Sequence, residues 1–238
     1  MSRYEKGWQD VRERIAKACA AASRPPDSVR LLAVSKTFPP AAITAVHGFG
    51  QRAFGENYVQ EAVAKQMALG DPTDVEWHLI GPLQSNKSKV VAERFAWVQT
   101  VDRIEIARRL SSQRPEAMPP LNVCVQANVS GEASKSGVAP GAALELAMSI
   151  ADLPRLRLRG IMGIPEATGD EERLRAQFRM LRGCFDACRA AGLPLDTLSM
   201  GMSADLALVI AEGSTMVRVG TAIFGARAAH ANGRFEST

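Results

Sequence analysis

The first 23 residues carry a hydrophobic pattern that is typical of an amphipathic helix. Apolar residues recur every three or four positions from Tyr4 to Ala22, and the pattern stops before the Pro25-Pro26 pair. This spacing places the apolar side chains along one face of a helix, so we expect a leading helix over residues 2–23.

After residue 28 the pattern changes to short apolar runs that alternate with longer segments of helical periodicity. The short runs predict eight strands, at residues 29–35, 52–56, 76–80, 96–101, 121–129, 156–162, 197–200 and 215–220. The segments between them predict helices at residues 40–48, 57–69, 84–94, 103–113, 140–151, 171–191 and 204–212. Alternation of strand and helix indicates a parallel sheet covered by helices.

The spacing of the predicted strands favours a closed (β/α)8 TIM barrel. A strand recurs about every 26 residues, close to the ~31 residues per unit of a ~250-residue barrel. An open, doubly wound sheet is the alternative if the strand count is wrong. We therefore expect a single α/β domain over residues 1–238, with the barrel at about 29–227 and a loose tail at 228–238.

The composition and net charge of the chain narrow the classes of protein to which it can belong. The chain is 46% apolar and 23% charged, as expected for a globular protein. No apolar run approaches the ~18 residues of a membrane span, and the charged N-terminus lacks the apolar centre of a secretory signal, so we expect a cytoplasmic protein with no membrane contact. The net charge of +4 comes from dispersed Lys and Arg, which suits small anions such as phosphate better than nucleic acid.

The four cysteines show neither a disulfide framework nor a zinc-binding spacing. Cys184 and Cys188 have the i, i+4 spacing of one helix face, but the chain contains only three histidines. Buried apolar positions are therefore favoured over a metal site for this pair, and we expect no metal.

Lys36 is the first candidate for chemistry. Catalytic and binding residues of a barrel gather at the C-terminal ends of its strands, and Lys36 directly follows the first predicted strand. Desolvation lowers the pKa of an amine and makes it nucleophilic, as a Schiff base to a carbonyl requires. The alternative is a lysine at a strand end that extends into water.

The loops after the last two predicted strands have the residues of a phosphate site. Glycines at positions 201 and 220 and hydroxyls at Ser203 and Thr221 fall where barrels commonly bind phosphate through main-chain N–H groups. The alternative for Ser203 is a structural role as N-cap of a helix that begins at residue 204.

Further polar residues lie on or after other predicted strands. Arg218 could point into the barrel or outward, and an inward arginine needs a partner such as a ring nitrogen or a carboxylate. Asn57 and His78 could face a ligand or serve as structural hydrogen-bonding residues. Glu132 and Lys135 could form a loop ion pair or a substrate clamp.

Six segments of the chain, in order, resemble the pyridoxal-phosphate homeostasis protein family, which has the alanine-racemase N-terminal barrel fold. The similarity extends from about residue 4 to Arg227 through LLAVSKT, FGENYVQE, WHLIGPLQSNK, VQANVSGEASKSG, LRGIMGIP and LSMGMSADLALVIAEGSTMVRVGTAIFGAR. The resemblance implies a barrel in which Lys36 carries pyridoxal 5′-phosphate as a Schiff base. It further implies cofactor-binding residues as follows: Ser203, Gly220 and Thr221 at the phosphate, Arg218 at the pyridine nitrogen, Asn57 beside the cofactor, and His78 and Met200 as lining.

The resemblance implies a carrier without catalytic residues. Such a protein takes up, buffers and releases pyridoxal phosphate and so maintains vitamin B6 and the balance of amino acids and keto acids. Its expected partners are pyridoxal phosphate and the apo-enzymes that depend on it, and we expect a monomer.

A barrel-type amino-acid racemase is the alternative. Racemisation needs a second acid/base, which the racemase relatives take from a tyrosine on an added C-terminal β domain. Only residues 221–238 follow the last predicted strand, so we expect that domain to be absent, and Tyr58 or Cys124 would have to serve instead. A cofactor-free aldolase would explain Lys36 but leaves the phosphate loops and Arg218 without a use.

Overall fold

The computed structural model describes residues 2–71, 74–132 and 135–226. The strands are β1 (Arg30–Val34), β2 (Ala53–Glu56), β3 (Glu76–Leu79), β4 (Trp97–Val101), β5 (Leu121–Ala127), β6 (Leu156–Gly163), β7 (Thr197–Ser199) and β8 (Met216–Val219). The helices are α1 (Arg3–Ala21), α2 (Pro40–Gly48), α3 (Val59–Ala68), α4 (Ser88–Arg94), α5 (Ile104–Gln113), α6 (Ala143–Ala151), α7 (Glu171–Ala190), α8 (Leu206–Ala211) and α9 (Thr221–Phe224). Short 3-10 turns at Ser85–Lys87 and Pro140–Ala142 precede α4 and α6.

The strands close into a parallel barrel in chain order, with β8 paired to β1. This confirms the predicted (β/α)8 barrel and excludes the open sheet. Every predicted strand lies within two residues of the observed one at either end. The short helix α9 was not predicted, because four residues are too few to show a period of 3.6.

The structure has two buried regions of different character, one between the barrel and its helices and one inside the barrel. Between the outer face of the strands and the helices lies an apolar core that includes Phe54, Leu79 and Phe178. Inside the barrel the strands place buried polar side chains as well, among them Gln99 and Arg218. Because buried polar groups are stable only when they are hydrogen-bonded, the inside of this barrel must contain a connected polar network.

Helix α1 packs against the last helices of the barrel. The side chain of Ser2 and that of Glu5 form a capping box at its start, and Trp8 and Val11 are among its buried residues. The helix contacts α8 and α9. At Gly7 a Cβ atom would lie 2.6 Å from the Ala222 carbonyl oxygen, so glycine is needed for this close approach.

None of the helices in residues 2–71, 74–132 and 135–226 is long and apolar enough to cross a membrane. The predicted tail at residues 228–238 lies outside the described residues.

Candidate functional site

The C-terminal ends of β1, β7 and β8 bring three of the predicted segments together. Parallel pairing aligns Leu32 of β1 with Arg218 of β8. The main-chain N–H of Arg218 in turn donates to the Gly201 carbonyl after β7, at 3.1 Å. Lys36 therefore lies at the same end of the barrel as the loop that contains Ser203, and we call this end the mouth.

Lys36 is half-buried in a tight turn that runs from Ser35 to Phe38. The Phe38 N–H donates to the Ser35 carbonyl at 3.1 Å and closes the turn. Thr37 has a φ of 67°, a left-handed conformation that costs a non-glycine residue about 1–2 kcal/mol. Other contacts must therefore hold the turn in this shape.

These contacts come from three charged residues behind the turn, Glu56, Glu61 and Lys65, which we call the charge cluster. The Lys65 ammonium lies 2.8 Å from Glu56 Oε1 and 2.7 Å from Glu61 Oε1. It also donates to the Ser35 carbonyl at 2.8 Å. Burial raises the pKa of Glu56, while Lys65 and the Ser35 hydroxyl act in the opposite direction.

The charge cluster is bonded to the residues on both sides of Lys36. Glu61 Oε1 accepts the Thr37 N–H at 2.5 Å, and Glu56 Oε1 accepts the Ser35 hydroxyl at 2.6 Å. Sequence analysis gave these carboxylates no role, because a charged residue on a helix or at a strand end is usually solvated.

The loop between β7 and α8 is shaped by glycine. Gly201 has a φ of 93°, and a Cβ atom there would lie 2.4 Å from the Val209 side chain. Helix α8 begins at Leu206 with Asp205 at its N-cap. The alternative role of Ser203 as a helix cap is therefore wrong, and Ser203 lies half-buried in the loop before the cap.

The loop between β8 and α9 comes equally close to β1. A Cβ atom on Gly220 would lie 3.1 Å from the Val34 carbonyl oxygen, and Thr221 is exposed at the first position of α9. The first N–H groups of a helix have no partner inside it. Those of Thr221 and Ala222 have no main-chain acceptor among the described residues.

Two arginines of helix α1 donate hydrogen bonds to main-chain carbonyls in and after these two loops. The Arg14 guanidinium donates to the Ser203 carbonyl at 2.6 Å, and the Arg3 guanidinium donates to the Phe224 carbonyl at 3.0 Å. These bonds use carbonyl groups, and the N–H groups of Ser203, Thr221 and Ala222 have no main-chain acceptor among the described residues.

Arg218 points into the barrel and is 5% exposed. Its Nη1 donates to the carbonyl and hydroxyl of Ser199 at 2.8 and 2.9 Å, and its Nη2 donates to the Gly163 carbonyl at 3.0 Å. Burial lowers the pKa of Arg218 to about 10. The guanidinium therefore remains positively charged at neutral pH, just below the mouth.

A chain of hydrogen bonds continues from Arg218 through the barrel. The Ser199 hydroxyl donates to Gln99 Oε1 at 2.6 Å, and Gln99 Nε2 donates to Nδ1 of His78 at 3.0 Å. The imidazole stacks on Trp97 with 4.9 Å between ring centroids. We call this series from Arg218 to His78 the interior chain.

His78 ends the interior chain as a neutral ring. Burial lowers its pKa to about 4. Its Nε2 lies 3.8 Å from Glu76 Oε2, which is too long for a hydrogen bond.

Comparison with known proteins identifies the family. The model of the alanine racemase N-terminal domain matches residues 9–228. A pyridoxal phosphate homeostasis protein of Pseudomonas aeruginosa is 54% identical over 227 residues, which cover 95% of this chain and 97% of that protein. One from Escherichia coli K12 is 51% identical over 219 residues, 91% of this chain and 94% of that protein. The chain belongs to the pyridoxal phosphate homeostasis protein family.

Solved structures agree with membership of the homeostasis family. PipY of Synechococcus elongatus PCC7942, solved with PLP bound, is 39% identical with a TM-score of 0.76, over 89% of this chain and 100% of that chain. A protein from Bifidobacterium adolescentis is 38% identical with a TM-score of 0.87, over 93% and 94%. An alanine racemase of Clostridium difficile 630 is 13% identical with a TM-score of 0.69, over 90% of this chain and 56% of that chain, which shows the shared fold alone.

The resemblance to the homeostasis family implies three further cofactor-binding residues, Asn57, His78 and Met200, which are buried to different extents. Asn57 is half-buried directly after β2, beside a cavity of about 280 Å³ that Gln126 also lines. His78 and Met200 are fully buried, His78 inside the barrel and Met200 in the core below the helices. Of these three, Asn57 is the one that reaches the mouth, and the roles of all three stay predictions.

The two groups considered as a second acid/base are poorly suited to that role in this homeostasis-family chain. Tyr58 is 59% exposed to solvent. Cys124 is fully buried inside the barrel, and burial raises the pKa of its thiol to about 12. At neutral pH a thiol with that pKa is almost entirely protonated.

Two further expectations are resolved. The Lys135 ammonium and the Glu132 carboxylate form a loop ion pair at 2.8 Å. Cys184 and Cys188 are both buried on the core face of α7, as the apolar interpretation of their spacing predicted.

Proposed function

We propose that this protein carries and buffers pyridoxal 5′-phosphate, held as a Schiff base on Lys36, and thereby maintains vitamin B6 and the balance of amino acids and keto acids. The observation that carries the proposal is the convergence at one barrel mouth of a half-buried lysine in a tight turn, two loops in which some N–H groups have no main-chain acceptor among the described residues, and a buried arginine. The PLP-bound PipY structure supports it.

The phosphate end of the ligand fits the loops after β7 and β8. Unused N–H groups and the hydroxyls of Ser203 and Thr221 are donors that suit a dianion. Both loops depend on glycine for their backbone path, because a Cβ atom on Gly201 or Gly220 would lie too close to Val209 or Val34. We therefore assign the phosphate to Ser203, Gly220 and Thr221.

The ring end fits Arg218. A guanidinium is permanently charged and can only donate hydrogen bonds, so it pairs with an unprotonated pyridine nitrogen and disfavours a pyridinium. When bound, pyridoxal phosphate supplies an aldehyde that an amine can attack and a ring that can withdraw electrons. Arg218 weakens that withdrawal, which favours storage of the cofactor over carbanion chemistry. We assign Asn57 to the ring side of the mouth, with His78 and Met200 as the residues behind it.

The attachment to Lys36 is tested by spectroscopy and mass. Purified protein incubated with pyridoxal phosphate should turn yellow, and borohydride should fix the mass of the cofactor onto the peptide that contains Lys36. Lys36→Ala should lose the visible absorption band of the wild type. The exposed Lys89 on α4 provides the control, since Lys89→Ala should keep both colour and label. An unchanged spectrum in Lys36→Ala would exclude the assignment.

The absence of catalysis is a separate proposal, supported by the burial of Cys124 and the exposure of Tyr58. The barrel-type racemase is the alternative. Proton NMR of several amino acids in deuterated solvent, incubated with loaded protein, should show α-proton exchange well below ~1 per second. Exchange at or above that rate would favour the racemase.

We further propose that PLP-dependent apo-enzymes receive the cofactor, and that the carrier is a cytoplasmic monomer organised as one barrel domain over residues 1–238. The four cysteines are unpaired and buried, which suits a reducing compartment. Loaded carrier should reactivate a PLP-dependent apo-enzyme, and light scattering should give the 25.6 kDa mass of one chain. A dimer mass, or transfer that does not exceed spontaneous release into buffer, would contradict these proposals.

A further inference from the structure

The turn that carries Lys36 is hydrogen-bonded through the N–H, hydroxyl and carbonyl of Ser35 and through the Thr37 N–H. The Ser35 N–H donates to the Gly55 carbonyl at 3.0 Å, and the Ser35 carbonyl accepts the Phe38 N–H at 3.1 Å. The same carbonyl also accepts the Lys65 ammonium at 2.8 Å. The main chain before the lysine is thus fixed by both a strand and a helix.

The charge cluster that provides this bond would be a costly arrangement of buried charges if its only role were to stabilise the fold. The side chains of Glu56 and Lys65 are 0% and 5% exposed. Lys65 lies on the buried face of α3 with Val59 and Ala62. Apolar residues of similar volume commonly stabilise a protein at least as well as a buried ion pair. A cluster of three charges in this place therefore calls for a role besides packing.

Strain at Thr37 indicates what that role is. A left-handed conformation at a β-branched residue persists only where the surroundings impose it, and such residues gather at functional sites. The bond from the Thr37 N–H to Glu61 supplies the constraint directly after Lys36. Thr37 and Ser35, the two neighbours of the lysine, are thus both attached to the same cluster.

We propose that Glu61 and Lys65 are positioning residues that hold the Ser35–Phe38 turn and thereby fix where the Lys36 side chain enters the barrel mouth. The proposal rests on the proposed attachment of the cofactor at Lys36 and adds the residues that direct it. An amine held at one place reaches a bound aldehyde with less loss of orientational freedom than a mobile one.

The decisive experiment compares two substitutions at one position. Glu61→Gln keeps an oxygen that can accept the Thr37 N–H, whereas Glu61→Ala removes it. With limiting pyridoxal phosphate, we expect Glu61→Ala to slow borohydride-trapped labelling of Lys36 by about tenfold, and Glu61→Gln to remain near the wild-type rate. Glu13→Ala is the control, because Glu13 forms the same i, i+4 pair with Lys17 on the surface of α1.

Thermal melting and amide exchange separate positioning from folding. Glu61 is partly exposed, so all three variants should melt within a few degrees of the wild type. Exchange of the Thr37 amide in the unloaded protein should be about tenfold faster in Glu61→Ala than in Glu61→Gln. Equal labelling rates in Glu61→Ala and the wild type would overturn the proposal.

The same design separates the two proposals. If wild-type Lys36 is not labelled at all, the proposed function fails, while Thr37 exchange still reports whether the cluster holds the turn. A second pair of variants gives an independent outcome. Thr37→Gly added to Glu61→Ala removes the left-handed strain at residue 37 and should restore part of the lost labelling rate, whereas Ser23→Gly, at another left-handed residue (φ 54°), should leave the rate of Glu61→Ala unchanged. Identical rates in both glycine variants would contradict a positioning role.

Discussion

The two sides of the barrel mouth are held in opposite ways. On the lysine side, after β1 and β2, charges buried behind the turn bind its carbonyl, hydroxyl and N–H groups. On the phosphate side, after β7 and β8, glycines set the backbone path and arginines of α1 bind carbonyls from outside. In the proposed function the first side fixes the Lys36 amine in place, whereas the second offers N–H groups to an anion.

This difference predicts which property, stability or ligand retention, each side of the mouth loses when its residues are substituted. A buried ion pair is costly to break, since the remaining partner stays charged away from water. A half-exposed arginine on a carbonyl can be replaced by solvent at small cost. Substitution of the buried Glu56–Lys65 pair on the lysine side should therefore lower the stability of the fold, and substitutions on the phosphate side should lower ligand retention.

The largest effect is expected from Lys65→Met, which leaves Glu56 buried without its ammonium partner. We expect a loss of about 3–5 kcal/mol in the free energy of unfolding, measured by urea titration. Lys6→Met is the matched control, because its pair with Asp10 is exposed on both sides and should contribute less than about 1 kcal/mol. Similar losses in the two variants would remove the distinction between the two sides of the mouth.

The next effect concerns the interior chain beneath both sides. Burial lowers the pKa of His78 to about 4, so the unfolded chain binds a proton at this residue at higher pH than the folded one. Between about pH 6.5 and 4 the stability should therefore fall as pH falls, by about 3 kcal/mol at most from this group.

His78→Phe keeps an aromatic ring against Trp97 and removes the titration. The free energy of unfolding, measured from pH 7 to 4, should fall less in this variant than in the wild type. The difference between the two proteins should equal the contribution of His78. Parallel pH curves for the two proteins would mean that His78 does not titrate as a buried neutral ring.

A smaller effect is expected on the phosphate side from Ser203→Ala combined with Thr221→Ala. Each lost hydroxyl removes one donor to a charged ligand, so retention of pyridoxal phosphate should weaken about 10- to 100-fold with little change in melting temperature. Equilibrium dialysis gives the affinity, and Ser112→Ala on α5, a surface hydroxyl distant from the mouth, is the control. Unchanged retention would mean that neither hydroxyl binds the phosphate.

The smallest effect is expected from Arg14→Ala. This change removes the grip of α1 on the Ser203 carbonyl at 2.6 Å and leaves every N–H of the loop in place. We expect a loss of retention of about threefold or less, and an unchanged absorption spectrum at Lys36. A loss as large as that of the double hydroxyl variant would show that the loop depends on α1 for its shape.

Much of the fold could be predicted because its pattern is local. An apolar run between polar segments marks a buried strand whatever its neighbours are, so all eight strands were found. The inward direction of Arg218 could not be predicted, since it depends on the pairing of β8 with β1. Helix α8 begins at Leu206, two residues later than predicted, with Asp205 and not Ser203 at its N-cap position.

The residues of the mouth divide in the same way. Lys36 and the two loops follow strand ends and could be identified from the sequence. The charge cluster was missed because Glu61 and Lys65 have the i, i+4 spacing of an ordinary surface pair. One signal was present: Lys65 falls on the helix face of Val59 and Ala62, where an apolar residue is expected.

Closure of the barrel has a consequence for how the protein is made. The turn at residue 36 and the loop at residue 220 meet because β8 pairs with β1. A ribosome therefore releases almost the entire chain before the proposed ligand contacts can assemble. While it is being translated, Lys36 is an ordinary amine in a growing chain, and it becomes part of a binding site when the last strand inserts. The proposed capture of a reactive aldehyde is thus coupled to completion of the barrel.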